Sequence, residues 1–236
     1  MSNSYFRFKK FTIHQDRCEM KVGTDGVLLG ACTPVQAGDL VLDIGAGTGL
    51  VSLMLAQRGA SKVVGVEIDH LASQQAIENV NLSPFSEIVQ IVNENILHFK
   101  SSVKYDLIVS NPPYFQNSLQ CENTRRNFAR HGDSGLTLDR LIHQASTLVK
   151  SNGRFVVILP SDLEKVFLDT CTMYHFTLER QIKIFTKLGK ASKRCIFAMK
   201  HSIETIAPIY EELILTNDSD NKRTLAYAQL TSEFYL

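Results

Sequence analysis

No Cys-x-x-Cys pair occurs in this chain, and its five cysteines are an odd number. That pattern disfavours both a disulfide framework and a zinc site. Free thiols in a reducing compartment are the simple expectation. The seven histidines show no metal-ligand spacing, so no metal is expected. No apolar run approaches the roughly 20 residues that span a bilayer. Met1 to Lys10 lacks the apolar stretch of a secretory signal. A cytoplasmic protein with no membrane partner, acting as a monomer, is therefore expected. Net charge is only +1, so any nucleic-acid partner has to be met by local patches. There is no internal repeat and no low-complexity tract.

What is present is ordinary in bulk and specific in pattern. The 236 residues are 44% apolar and 21% charged, enough for one large α/β core or two small domains. Leu40–Ile44, 63–66, 88–92, 105–109 and 155–159 read as buried strands. Helical stretches are expected over 50–58, 71–81, 138–149 and 161–173, with Gly59 and Pro84 as stops after the first two. Alternation of this kind implies an α/β, doubly wound, mostly parallel sheet. Two further strands are expected near 177–185 and 195–200. The nine residues between them are too few for a helical crossover, so this C-terminal pair is expected to be antiparallel. Residues 115–135 read as a long polar loop. The chain reads as a single domain over 1–236, with 1–35 as an N-terminal extension, 36–215 as the core and 216–236 as a C-terminal segment.

Asp43-Ile44-Gly45-Ala46-Gly47-Thr48-Gly49 lies between a strand and a helix. Glycines there let the backbone turn tightly and approach a ligand, and the following helix N-terminus favours an anionic group. The dinucleotide fingerprint G-x-G-x-x-G does not fit, because the third glycine comes one residue early. Asp43, two residues before Gly45, can accept a hydrogen bond from an ammonium and would repel a pyrophosphate. The methionine end of S-adenosylmethionine suits both features. Glu67 ends the next strand, where an acid binds ribose hydroxyls in doubly wound folds. The bland alternatives are a tight turn and an exposed strand-end carboxylate. Together the loop and Glu67 resemble the class I (Rossmann-like) methyltransferases.

Asn111-Pro112-Pro113-Tyr114 follows the fourth strand. A planar amino group conjugated to a ring or carbonyl is a poor nucleophile, since its lone pair is delocalised. The Asn111 side-chain oxygen and the Pro112 carbonyl can accept its two N–H hydrogens. The prolines hold these acceptors in place beforehand. Tyr114 offers a face for a base to stack on. The tetrapeptide resembles that of amino-methyltransferases acting on adenine, guanine N2 or a glutamine amide. Alone it could also be a rigid turn.

Lys21-Val22-Gly23-Thr24-Asp25-Gly26-Val27-Leu28-Leu29-Gly30, Asp43–Gly47, Ser110–Tyr114 and the ending Phe234-Tyr235-Leu236 resemble the bacterial tRNA(Val) adenine-37 N6-methyltransferases. The likeness runs from about Phe8 to Leu236. It implies S-adenosylmethionine as cofactor, a tRNA partner and transfer to adenine N6. It also implies that Thr24, Asp25 and Gly26 lie over the methionine side of the cofactor. Asp25 is equally a credible helix N-cap. In that family an acid after the third strand faces the cofactor adenine. Here the matching position is Asn95, whose oxygen can still accept, with Glu94 as the alternative.

Basic residues gather in three places. Residues 121–154 hold Arg125, Arg126, Arg130, Arg140, Lys150 and Arg154. Residues 183–200 hold Lys187, Lys190, Lys193 and Arg194 among others, with no acid. The N-terminus adds Arg7, Lys9, Lys10, Arg17 and Lys21 beside Phe6, Phe8 and Phe11. Cations interleaved with aromatics suit phosphate contact and base stacking. Lys21, Arg125, Arg126, Arg130, Lys190 and Lys193 are the candidate RNA contacts. Three other readings stay open: methylation of a protein glutamine amide or of ribosomal guanine N2, a nicotinamide oxidoreductase, and a non-catalytic RNA-binding protein on the same fold.

Overall fold

The computed structural model describes residues 3–18, 20–113, 135–204 and 206–236. The sheet expected from the buried apolar runs is present. Its strands are β3 Leu40–Ile44, β4 Lys62–Glu67, β5 Val89–Asn93, β6 Tyr105–Ser110, β7 Val149–Pro160, β8 Phe176–Phe185, β9 Arg194–His201 and β10 Ile209–Ile214. The spatial order is β10-β8-β9-β7-β6-β3-β4-β5. The five strands from β5 to β7 are mutually parallel, and β9 runs antiparallel to both β7 and β8. The antiparallel C-terminal pair is thus as expected from the short connection.

Helices cover both faces because residues alternate along each strand. Val41 joins one apolar cluster, with α1 Thr24–Cys32 and α2 Leu50–Gln57; α3 His70–Asn81 lies on the same side. Its neighbour Leu42 joins the other, with α4 Leu138–Leu148 and α5 Glu164–Met173. The apolar stripe of α4 is Leu138, Leu141, Ile142, Ala145 and Leu148, all buried, at the spacing of one helix face.

Several elements differ from the sequence expectation. The stretch read as a strand over 155–159 is a longer strand that starts straight after α4. Tyr105 pairs with Val149 but Leu107 with Arg154, so residues 150–153 bulge out, with Asn152 at φ 59°. A 3-10 turn over Ser161–Leu163 precedes α5. β10 adds a parallel edge strand to β8, tied by Arg180, whose Nε and Nη2 donate to the two Glu211 oxygens at 2.9 and 2.7 Å. A short helix α6, Leu225–Leu230, follows. At the N-terminus, β1 Tyr5–Arg7 and β2 Thr12–His14 form a hairpin. Asp25 is not the N-cap of α1; that position is Gly23, and Asp25 sits in the first turn.

Two of the cations grouped over 121–154 lie at the amino edge of the sheet. Arg154 is buried at the amino edge of the sheet, where Nη2 meets both Asp39 oxygens at 2.7 Å. Lys150 pairs with Asp106 at 2.7 Å on the same edge. Removing one partner of a buried pair strands the other charge. Arg154→Ala is therefore expected to lower the unfolding free energy by about 3–5 kcal/mol. Loss of the exposed Arg17–Glu78 pair in Arg17→Ala should cost no more than about 1 kcal/mol. Urea titration of both variants checks the contrast.

Candidate active site

Two loops leave adjacent strands together. Ile44 ends β3 and pairs in register with Ser110, the end of β6. Ser110 Oγ also donates to the Ile44 carbonyl at 2.9 Å. Gly45 and Asn111 are the next residues, so the glycine loop and the Asn-Pro-Pro loop start side by side at the carboxyl edge.

The glycine loop follows the sequence expectation closely. Gly45 and Gly47 have φ of 76° and 54°, and a Cβ built on either would meet nothing within 4 Å. The turn therefore needs glycine for its conformation and borders open space. Its backbone is anchored from below: the Gly45 and Ala46 N–H groups donate to the Val66 carbonyl at 2.9 and 3.2 Å. The Gly47 N–H donates to Glu67 Oε2 at 2.8 Å, and the Asp69 N–H to Oε1 at 2.9 Å. Glu67 thus bridges the loop and the end of β4.

Asp43 is buried, 1% exposed, and accepts from Ser52 Oγ at 2.6 Å. Burial pushes its carboxyl up to about 6; the Glu67 charge adds to that, while hydrogen bonds from Ser52 oppose it. A strand edge with two buried acids suits a cationic group. Asn95 is half-buried, and its Oδ1 accepts the Leu97 N–H at 3.0 Å, leaving a second lone pair. Glu94 is also half-buried, and its N–H donates to the Glu67 carbonyl.

The segment before α1 folds over this edge. Asn111 Nδ2 lies 3.9 Å from Met20 Sδ. A Cβ at Gly26 would come within 3.2 Å of Leu50 Cδ2 and 4.0 Å of Asn111 Nδ2. Gly26 is what lets α1 approach the start of α2 and the Asn111 side chain. Asp25 Oδ2 accepts from Arg194 Nε at 2.9 Å. Thr24 and Lys21 are exposed beside it. Arg194 starts β9 opposite Pro160, the carboxyl end of β7. The β8–β9 connection, with exposed Lys190 and Lys193, therefore lies on the same edge. Pro112 is buried. Tyr114, Arg125, Arg126 and Arg130 lie outside the described residues.

Four residues escaped the sequence reading. Ser52, which holds Asp43, is the lone polar residue of the otherwise apolar Leu50–Ala56, and that oddity was its signal. Gln75 and Asn79 are fully buried polar residues one turn apart on α3. Gln75 Nε2 donates to Asp16 and its Oε1 accepts the Arg17 N–H; Asn79 bonds the backbone of His14 and donates to the Thr48 carbonyl. Two amides on one face at i and i+4 mark a helix that buries a polar partner. Arg194 could not be singled out among its basic neighbours.

The Asp43 environment predicts a pH effect on the ligand-free protein. An unfolded chain ionises this carboxyl near 3.9, while the folded chain holds the proton to about 6. The folded state binds more protons in that window, so stability falls as pH rises through it and is fully present below it. The difference is about 3 kcal/mol. Asp43→Asn should remove this portion of the fall. Urea midpoints of wild type and variant, taken from pH 4 to 7, should converge at low pH and separate in favour of the variant above 6.

Comparison with known proteins gives the family. Residues 18–186 match the family described as the methyltransferase small domain. The tRNA1(Val) (adenine(37)-N6)-methyltransferase of Bacteroides fragilis is 44% identical over 239 residues, covering 100% of this chain and 99% of the relative. The protein of that name from Parabacteroides distasonis is 45% identical, again over 100% and 99%. A solved structure, a predicted O-methyltransferase from Agrobacterium tumefaciens, superposes with a TM-score of 0.71 over 89% of this chain and 96% of that one. At 18% identity it speaks to the fold alone, which is that of the class I methyltransferases. With relatives this similar along the whole of its length, the chain belongs to the tRNA1(Val) (adenine(37)-N6)-methyltransferase family.

Proposed function

We propose that this chain transfers a methyl group from S-adenosylmethionine to the exocyclic N6 of adenine 37 in the anticodon loop of tRNA(Val). The observation that carries the reading is the shared start of the two loops at the Ile44–Ser110 pair, with two buried acids beneath them. The cofactor fits the residues present. Gly45, Gly47 and Gly49 form the turn, open at Gly45 and Gly47, and Asp43 and Glu67 give its floor the negative charge that suits an ammonium and a sulfonium. Glu67 serves the ribose hydroxyls through its remaining lone pairs. Asn95 serves the adenine amino group. Thr24, Asp25 and Gly26, in the extension formed by residues 1–35, cover the methionine side.

When bound, S-adenosylmethionine supplies an electrophilic methyl on sulfur. The chain supplies the rest. The Asn111 side-chain oxygen and the Pro112 carbonyl accept the two N–H hydrogens of the target amino group. That draws its lone pair out of conjugation and aims it. No strong base is needed early, because the nitrogen becomes acidic as the new bond forms. Tyr114 stacks on an extruded adenine. Lys21, Lys190 and Lys193, with Arg125, Arg126 and Arg130, meet the phosphates around it. The protein works as a cytoplasmic monomer on this reading, as one methyltransferase domain.

Incubation with labelled S-adenosylmethionine and tRNA from cells lacking this enzyme, followed by nucleoside mass spectrometry, should yield N6-methyladenosine in tRNA(Val). Label in guanine N2 or in protein glutamine would refute the substrate. Asn111→Ala should lower kcat by about 10²–10³-fold, the scale for losing one preorganised polar contact, with cofactor affinity held within a few-fold. Near-normal turnover in that variant would remove the role given to Asn111.

A further inference from the structure

The N-terminal hairpin carries a surface that the site above does not use. Tyr5 stands opposite His14 and Arg7 opposite Thr12 across β1 and β2. A groove of about 700 Å³ runs beside them, with Tyr5, Arg7, Lys9, Lys10, His14 and Leu82 among its lining. Arg7, Lys9 and Lys10 are exposed, and no acidic residue precedes Asp16 in the chain. Among the described residues, the ion pairs involve other cations. Lys9 Nζ instead donates to the Ser232 carbonyl at 2.6 Å, which fixes that ammonium at the groove wall.

The aromatics divide in a way the sequence does not reveal. Phe8 and Phe11 are buried in the core, and Phe6 packs against it. They hold the hairpin down and are not available for stacking. Tyr5 is: it is 42% exposed, with its ring centroid 6.2 Å from that of His14. The Leu82 end of the groove, where Arg7 and Lys10 stand, is away from the glycine loop, whereas its His14 end reaches that loop through Asn79. Leu82 follows the C-terminal end of α3, whereas Asp69 caps α3 at the carboxyl edge. At 1.5 Å per residue, the 12 residues of α3 separate the two by about 18 Å.

We propose that this groove is a second RNA-docking surface, which grips the sugar-phosphate backbone of the substrate tRNA away from the methylated adenine. Arg7 and Lys10 meet phosphates, and Tyr5 lies against a ribose or base face. The inference rests on the reading that the substrate is tRNA. An acid-free run of cations matches the uniform charge of a nucleic-acid backbone. Contacts at this distance add affinity without touching chemistry, so their loss belongs in KM and not in kcat.

The test compares wild type with the Arg7→Glu/Lys10→Glu double variant on full-length tRNA(Val). KM for tRNA should rise roughly tenfold or more at unchanged kcat. The slope of log binding constant against log salt concentration should become shallower by about 2, one for each lost phosphate contact. Affinity for S-adenosylmethionine and the thermal midpoint should not move. If charge reversal lowers the midpoint, Arg7→Gln/Lys10→Gln reads the same salt slope. Tyr5→Ala should raise KM with the slope unchanged. Wild-type KM and slope in the charge variants would overturn the proposal, whether the groove is unused or takes an acidic peptide. Absence of any tRNA methylation or binding by the wild type would instead refute the substrate reading, and the groove's RNA partner with it.

Discussion

The register between Ile44 and Ser110 determines the rest of the site. β3, β4 and β5 extend the sheet in one direction, and the chain then crosses back to lay β6 on the other side of β3. A doubly wound sheet opens a crevice where its order reverses, at the carboxyl ends of the strands. Here the crevice falls between Gly45 and Asn111. The in-register pair and the Ser110 hydroxyl bond pin the two backbones within one strand spacing, about 4.8 Å. A one-residue slip of β3 would turn Asp43 away from α2 and exchange its two apolar faces. Loop chemistry and core packing therefore demand the same alignment.

The second constraint is electrostatic. Asp43 and Glu67 are both buried beside the glycine turn, and burying carboxylates is unfavourable unless they are hydrogen-bonded. Each has found donors of a different kind. Asp43 takes the Ser52 hydroxyl at the start of α2, where the helix dipole also favours negative charge. Glu67 takes the N–H groups of Gly47 and Asp69. Those bonds hold the loop in shape, yet each carboxylate oxygen keeps a lone pair. A ligand hydroxyl or ammonium can share these groups without dismantling the turn, so the turn is shaped beforehand.

The parts legible in the sequence are those whose cause is local. β3 and β4 announce themselves as continuous apolar runs because they are buried on both faces. The glycine turn is visible because only glycine suits its φ values. Asp69 caps α3 through a local bond to the Ala72 N–H. What stayed hidden depends on distant partners. Asp25 looks like an N-cap, but its carboxylate turns to Arg194, 169 positions away. β10 is a half-exposed edge strand carrying Glu211 and Glu212, with no alternating apolar face strong enough to mark it; its ion pair with Arg180 lies out of sequence reach. Arg154 was grouped with neighbouring cations, although the fold sends it to the opposite edge to meet Asp39.

Gln75 and Asn79 show how these levels connect. Each sits on a helix face that would ordinarily be apolar, and each is fully buried. A primary amide offers a donor and an acceptor together, so it can pin two backbone segments at once. Asn79 joins the backbone of His14 to the carbonyl of Thr48, and so ties the N-terminal strand to the glycine loop. Gln75 fixes Asp16 and Arg17 one turn nearer the carboxyl edge. From there the chain passes Met20, which touches Asn111, and enters α1 over the pocket. An apolar contact could have buried the same area, but it would have let the segment slide along α3. Directional bonds at two points set where along the helix residues 14–17 lie, and therefore where residues 20–26 meet the reaction loops. The segment over the two loops is in this sense positioned by two amides that lie outside the proposed chemistry.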